Sequence, residues 1–200
     1  MTVYNITPGD PRKAGDIALV IAEAFKPLAV AEWLARDEKK RVKMMSAQFE
    51  MFVQHAFAHG EVWTALDGQA AAVWFRRPMP DIPDYDERLA EICGDHLPRF
   101  QALDKAFDEH HPKDQHHHLA FLAVTRRLQG HLIGSTLLHH HLAHLDKTGQ
   151  RAYLEASDRR SQGLYLRSGF VNLGPAIELP EGGPEMYPMQ RTPRRGRDAL

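Results

Sequence analysis

Residues 119–145, LAFLAVTRRLQGHLIGSTLLHHHLAHL, constrain the fold more than any other stretch of this chain. Leu119–Val124 is an apolar run with the length and composition of a buried strand. A polar loop, Thr125–His131, follows, and apolar periodicity restarts at helical spacing through Gly134, Leu137, Leu138, His141, Leu142 and Leu145. A strand, a glycine-bearing loop and a helix N-terminus together offer free backbone N–H groups and the positive end of a helix dipole. An anionic ligand, a phosphate above all, is expected at this turn. Two common nucleotide motifs fail there. Gly134-Ser135-Thr136 lacks the Lys of a Walker loop, and Gly130 with Gly134 does not make a dinucleotide fingerprint.

Downstream, Tyr153–Ser157 (YLEAS) reads as another buried strand, and Gly163–Phe170 (GLYLRSGF) as the end of a helix with Gly169 at C′. In this order and spacing the two stretches resemble the GNAT superfamily of acetyl-CoA-dependent N-acetyltransferases. That family's pyrophosphate loop, roughly Arg/Gln-Gly-x-Gly-x-Gly/Ala after a strand ending in Ala-Val, aligns without gaps on Gln129-Gly130-His131-Leu132-Ile133-Gly134 after Ala123-Val124. Leu132 stands where the family has its middle Gly. Only its backbone N–H is asked to face phosphate, so an ordinary helical φ/ψ is expected for it. The resemblance covers most of the chain from about His59 onward. It implies an α/β (α+β) GNAT fold: a mixed, mostly antiparallel sheet of six to seven strands, splayed at its centre and flanked by helices. The alternative is an ordinary βαβα segment that binds no cofactor.

The rest of the chain is compatible with one domain over residues 1–191 and a flexible tail over 192–200. Hydrophobic residues make up 43% and charged residues 26%, the balance of an ordinary globular protein rather than a disordered one. A net charge of −1, with no basic block beyond the tail, gives no footprint for nucleic acid. The single cysteine, Cys93, excludes an internal disulfide and a Cys-rich zinc site. With no signal peptide or long apolar span visible, a cytoplasmic protein without membrane partners is expected.

Met1–Ile6 suits a first strand, and Asp10-Pro11 the start of a helix whose buried face is Ile17, Val20, Ile21 and Phe25. Two further helices are expected at Ala29–Arg36 and Val42–His59, with Arg36–Arg41 between them as a solvated surface. Phe49, Phe52 and Phe57 are candidates for the wall of an acceptor pocket, helical core being their other fate. Asp67-Gly68 joins two β-rich runs, Glu61–Leu66 and Gln69–Phe75, in a hairpin. Glu87–Phe107 reads as helix interrupted at Pro98. Val171–Leu179 and Met186–Arg191 supply the last two strands, with Pro180–Pro184 as their tip.

Acetyl transfer to an amine needs a neutral nucleophile, a stabilised oxyanion and a proton for the leaving thiolate. The resemblance implies that acetyl-CoA, as cosubstrate, lies where strand 119–124 parts from strand 153–157, against Leu122, Ala123, Val124, Gln129, Gly130, His131, Leu132, Ile133, Gly134 and Ser135. Ser161, Leu164 and Tyr165 complete the cofactor side, Ser161 standing where relatives often have an Asn. Tyr165 matches the family Tyr that acts as general acid toward the thioester sulfur; filling the core beside Phe170 is the other reading. Three groups compete for the base. His118 matches one of two strand histidines used as bases in one branch of the family, while His116 shares its face at period two. Glu155 lies on the neighbouring strand. Histidine as a residue type exchanges protons near neutral pH, which suits relaying an ammonium proton through water.

Thirteen histidines invite a metal, yet His140 and His144 at i, i+4 lack the Glu of an H-E-x-x-H motif. His110, His111, His116 and His117 fall around a loop containing Pro112, so no metal site is expected. His141, on the apolar face of its helix, reads as a core residue. The functional expectation is an N-acetyltransferase acting on a primary amine of a small molecule by direct attack in a ternary complex. A non-catalytic acyl-CoA-binding sensor and a peptide or protein N-acetyltransferase are the alternatives, and a homodimer is left open.

Overall fold

The computed structural model describes residues 4–194; the expected strand residues Met1–Val3 and most of the expected tail lie outside them. Within these, the first strand is Ile6–Pro8 (β1), shifted past the expected Met1–Ile6 because Pro8 and Thr7 pair with Trp63 and Thr64. Asp10 accepts a hydrogen bond from the Arg12 N–H and Pro11 opens a short 3-10 turn, which runs into helix α1, Ala14–Phe25. Helix α2 (Ala29–Leu34) and helix α3 (Glu38–His59) follow, the latter starting at an Asp37 N-cap. Strands β2 (Gly60–Ala65) and β3 (Ala70–Arg77) form the expected hairpin, turning through positive φ at Leu66, Asp67 and Gly68.

The expected long helix is two. Helix α4 (Tyr85–Cys93) ends at Gly94, and helix α5 (Leu97–His110) begins so that Pro98 falls in its first turn. There the missing N–H is harmless, so Pro98 starts a helix instead of breaking one. Strand β4 (His116–Val124) and helix α6 (Ile133–Thr148) flank the glycine loop, then come strand β5 (Ala152–Ala156) and helix α7 (Arg159–Arg167). Gly169 takes the left-handed conformation expected of a C′ residue, with φ 92°. The stretch expected as one strand over Val171–Leu179 divides into β6 (Val171–Asn172) and β7 (Ile177–Glu178); both pair antiparallel with β8 (Glu185–Arg191).

The sheet runs β1-β2-β3-β4-β5-β8-β6, with β7 also on β8, so the strand segments occupy seven positions. Every pair is antiparallel except β4–β5, which is parallel and consists of His117 opposite Ala152 and His118 opposite Tyr153. Beyond His118 the two strands part: β4 stays with β3 up to Val124, and β5 stays with β8 up to Ala156. A bulge also interrupts β3–β4, since Trp74 faces Leu119 while Val73 faces Phe121. Ala120 is the extra residue, and it re-aims the strand exactly where its partner on the other side leaves.

Apolar cores fill both faces. Leu137, Leu138, Leu142 and Leu145 of α6 pack with Trp74, Leu154 and Met189 on one face. On the other, Ile17 and Ile21 of α1 and Met45, Phe49 and Val53 of α3 cover Val73, Phe75 and Ala123. A third core joins α2, α4 and α5 to the β7–β8 hairpin through Trp33, Leu89, Phe100 and Ile177. Helix α3 belongs to two of these, because Met44 and Met51 turn to the third core. No described helix is long and apolar enough to cross a membrane.

Arg41 overturns the expectation that Arg36–Arg41 is a solvated surface. It is buried, and its guanidinium donates to the carbonyls of Ala35 at 2.8 Å, Lys26 at 3.2 Å and Arg36 at 3.4 Å. These carbonyls end α1 and α2, where backbone acceptors lack intrahelical partners. Arg41→Met keeps the apolar stem but orphans them, and should cost about 2–4 kcal/mol in urea unfolding. A loss under about 1 kcal/mol would mean that water replaces the guanidinium.

Candidate active site

The parting of β4 from β5 opens a cleft of roughly 1390 Å³. At one end lies the glycine loop. The Gln129 side-chain amide donates to the Val124 carbonyl at 3.1 Å and the Tyr4 hydroxyl to the His131 carbonyl at 2.8 Å, pinning the loop at both shoulders. Gly130 has φ 84°, a conformation that glycine adopts without penalty. Helix α6 starts with no side-chain cap, so its first N–H groups are free to meet an anion. Gly134 faces β4, where an added Cβ would make an ordinary contact with Val124 Cγ2 at 3.5 Å.

The expectation for Leu132 is corrected here. Its φ of 63° and ψ of 6° are left-handed, not helical, and its side chain is 70% exposed. A Gly at this place would adopt the angle without penalty, whereas Leu adopts it at a cost of roughly 1–2 kcal/mol. His131 also departs: its ring turns to the Leu128 and Gln129 carbonyls instead of joining the cleft wall. Leu122, Ala123, Val124, Gln129, Gly130, Leu132, Ile133, Gly134 and Ser135 do line the cleft.

Across from the loop, Ser161, Leu164 and Tyr165 of α7 form the facing wall. Ser161 is occupied locally. Its hydroxyl donates to the Asp158 carbonyl at 2.9 Å, and its N–H donates to the Asp158 carboxylate at 2.7 Å, in a capping box. The contact expected of it toward a cofactor arm would compete with this cap. The Tyr165 ring packs edge-on against Phe170 at 5.8 Å, as the core reading expects, and the residue also borders the cleft. Among the described residues no group hydrogen-bonds its hydroxyl, and burial holds the phenol above its ordinary pKa. It keeps its proton at neutral pH.

Where the strands begin to part, His118 and Glu155 meet. His118 Nε2 lies 2.9 Å from Glu155 Oε2, and both residues face the cleft. Burial alone would raise the Glu155 carboxyl, but the charges and contacts of His118 and His111 outweigh it and hold the carboxyl well below the usual range. His116 shares the expected face but stands behind: its Nε2 is 2.9 Å from His111 Nε2, and its Nδ1 is 2.7 Å from the Asp114 carbonyl. It lies off the cleft wall, and burial followed by the neighbouring His111 pushes its pKa down to about 4.

Another part of the cleft wall is aromatic. Phe25, Phe49, Phe52 and Phe121 pack on one another with ring centroids 4.6–6.1 Å apart, and all four line the cleft. Phe57 does not; it packs beside Gly9. Asp104 of α5 lines the same cleft; it accepts a hydrogen bond at 3.0 Å from the hydroxyl of Tyr85, whose ring packs on Phe52 at 5.6 Å, and it has no ion-pair partner among the described residues. Burial pushes its pKa up to about 6. Sequence reasoning missed both Asp104 and His111; only the helical spacing of Asp104 to Phe100 and Phe107 hinted that it faced inward.

On the opposite face of the sheet a second titratable cluster forms from Glu61, His117 and His141. His141 is buried as expected, stacked on Trp74 at 4.2 Å, with Nε2 3.1 Å from His117 Nδ1 and Nδ1 3.5 Å from Glu61. That contact with His141 holds Glu61 at a pKa of about 2.

Against known proteins, residues 110–193 match the model of the acetyltransferase (GNAT) domain. The matched stretch takes in β4, the glycine loop, β5 and α7. The fold agrees over nearly the whole length. A Corynebacterium glutamicum structure described as histone acetyltransferase HPA2 and related acetyltransferase superposes with a TM-score of 0.72 at 28% identity, covering 98% of this chain and 99% of that one. Arylalkylamine N-acetyltransferase 2 from Aedes aegypti gives 0.61 at 15% identity over 96% and 100% of the two chains. An agmatine N-acetyltransferase gives 0.60 at 14% over 95% and 100%. Domain and fold together support an N-acetyltransferase enzyme, and the GNAT family uses acetyl-CoA.

Two outcomes follow from this geometry. Leu132→Gly removes the left-handed strain and should raise stability by up to about 1 kcal/mol while keeping the loop's backbone path. A thermal melt that falls would mean that the exposed leucine makes contacts outweighing the strain. For Asp104, a folded pKa of about 6 lies above the unfolded carboxyl value, so stability falls as pH rises from roughly 4 to 6. Asp104→Asn should flatten that segment and stabilise the protein at pH 7 by up to about 3 kcal/mol. An unchanged pH–stability curve would show Asp104 to be ordinary.

Proposed function

We propose that this protein transfers an acetyl group from acetyl-CoA directly to the primary amine of a small molecule, within a ternary complex. The observation that carries the reading is one continuous cleft. It joins an uncapped helix N-terminus, a strand edge freed by parting from its neighbour, a protonated tyrosine and a buried carboxylate–histidine pair.

Acetyl-CoA supplies a thioester activated toward amines. The loop Gln129–Ser135 presents N–H groups to its pyrophosphate, and the exposed edge of β4 presents backbone groups that an amide-bearing arm can satisfy as an added strand. A backbone N–H at or beside Val124 stabilises charge developing on the carbonyl oxygen. His118, oriented through its Nε2–H by Glu155, takes the proton of the incoming ammonium, directly or through water. Tyr165 gives its proton to the departing sulfur; its raised pKa keeps that proton available.

The acceptor wall favours a cationic amine on an aromatic or apolar body. Aromatic rings provide the surface and cation–π attraction, and Asp104 gains a partner when an ammonium enters. The rings and Asp104 favour a compact arylalkylamine over a basic peptide tail.

The test is thiol release from acetyl-CoA with arylalkylamines, polyamines and basic peptides in parallel. Arylalkylamines should give the highest kcat/KM by at least about tenfold, and Asp104→Asn should raise their KM by a similar factor with kcat little changed. CoA binding without thiol release from any amine would overturn the enzyme and leave an acyl-CoA sensor. Tyr165→Phe should lower kcat by about 10–100-fold while acetyl-CoA affinity stays within about twofold. An unchanged kcat would remove Tyr165 as the acid.

A further inference from the structure

The hydrogen bonds around Glu155 fix the histidine tautomers, and the result is a gap that calls for a cation. His116 Nδ1 must donate to the Asp114 carbonyl at 2.7 Å, since a carbonyl only accepts. In the neutral ring His116 Nε2 is then an acceptor, and at 2.9 Å it takes the proton of His111 Nε2. A neutral His111 therefore turns a bare Nδ1 lone pair toward Glu155 Oε1, 3.6 Å away. That oxygen is buried and has no hydrogen-bond partner among the described residues. Two lone pairs facing each other at this depth are held together only by a positive charge between them. On the carboxylate's other oxygen, His118 Nε2 stands at 2.9 Å.

We propose that His111 Nδ1, His118 Nε2 and Glu155 form a divalent transition-metal site of the zinc class, and that its occupation shuts the acceptor end of the cleft. The ligand atoms of the three residues lie within 4.8 Å of one another. At usual bond lengths of about 2.1 Å, an ion shared by two ligands 3.6 Å apart subtends an angle of roughly 120°, close to tetrahedral. His118 ligates as its Nδ1–H tautomer. The outer contact is built on the His111 side: its other ring nitrogen is held on His116, which is itself held by a backbone carbonyl, whereas His118 Nδ1 is buried with no partner among the described residues. The cleft leaves a fourth position for water or the amine. The positive charge of Arg77, which bears on His111 and His116, opposes a dication. This favours a site that fills and empties over a permanently loaded one.

The inhibition rests on the acetyl-transfer reading; the binding does not. Cobalt(II), added to chelator-treated full-length protein, reads binding through visible d–d absorption with no turnover needed. The wild type should bind one ion with the absorption of a tetrahedral or five-coordinate centre, displaced by zinc. His111→Ala and His118→Ala should each weaken it by at least about tenfold, whereas His141→Ala, in the cluster on the other face, should leave it unchanged. In the acetylation assay zinc should inhibit competitively against the amine and not against acetyl-CoA, reversibly with chelator. A signal lost in His141→Ala but kept in His111→Ala would overturn the proposal in favour of the Glu61–His117–His141 cluster. No absorption with folded wild-type protein would overturn it too, and would mean that a proton fills the gap.

Discussion

Two parallel residue pairs, His117 with Ala152 and His118 with Tyr153, are all that join the two halves of this sheet. Had the pairing run on, Leu119–Val124 and Leu154–Ala156 would have satisfied each other and left no room for a ligand. Because it stops, backbone groups on β4 are exposed in the middle of the protein, and their hydrogen-bonding demand becomes recognition. The Ala120 bulge helps the parting by turning β4 at the same level. What closes the sheet below the split is the pair of strands that carries His118 and Glu155, so this histidine–carboxylate pair stands at the crotch of the opening.

Much of this was legible in the residues. The loop, the hairpin at Asp67-Gly68, the helix end at Gly169 and the inward face of α6 all follow from spacing within one element. What escaped depends on contacts between elements. His111 lies in a loop with no periodicity, and only the docking of that loop beside Tyr153 brings it to Glu155. Arg41 sits in a charged run that reads as solvated, but three helix-end carbonyls capture it. The bulge at Ala120 leaves no mark in an evenly apolar stretch, where shifting one residue exchanges apolar for apolar. Leu132 misled in a different way, because a motif position was read for its N–H when the backbone angle decided it.

Several groups in the cleft reduce stability where they stand. Leu132 holds a left-handed angle, Asp104 keeps a desolvated carboxyl on the cleft wall, and Glu155 leaves one buried oxygen without a partner among the described residues. Each cost falls where an anion, an ammonium or a cation would relieve it. Such strain is expected of a surface shaped to bind a ligand. The surrounding cores, with Trp74, Tyr153 and Phe100 almost fully enclosed, supply the rigidity that lets these groups persist.

Strand β8 is late in the chain but has three partners in the sheet, β5, β6 and β7. A growing chain therefore completes one lip of the opening, the β1–β4 side, well before the other can form. Until residues 185–191 emerge, β5 has its two-residue hold on β4 and an open edge on its far side. Such an edge is where a foreign strand adds most readily. The order of synthesis thus makes the half that carries Glu155 and Tyr165 the last to be secured, and the part of the molecule most dependent on timely folding.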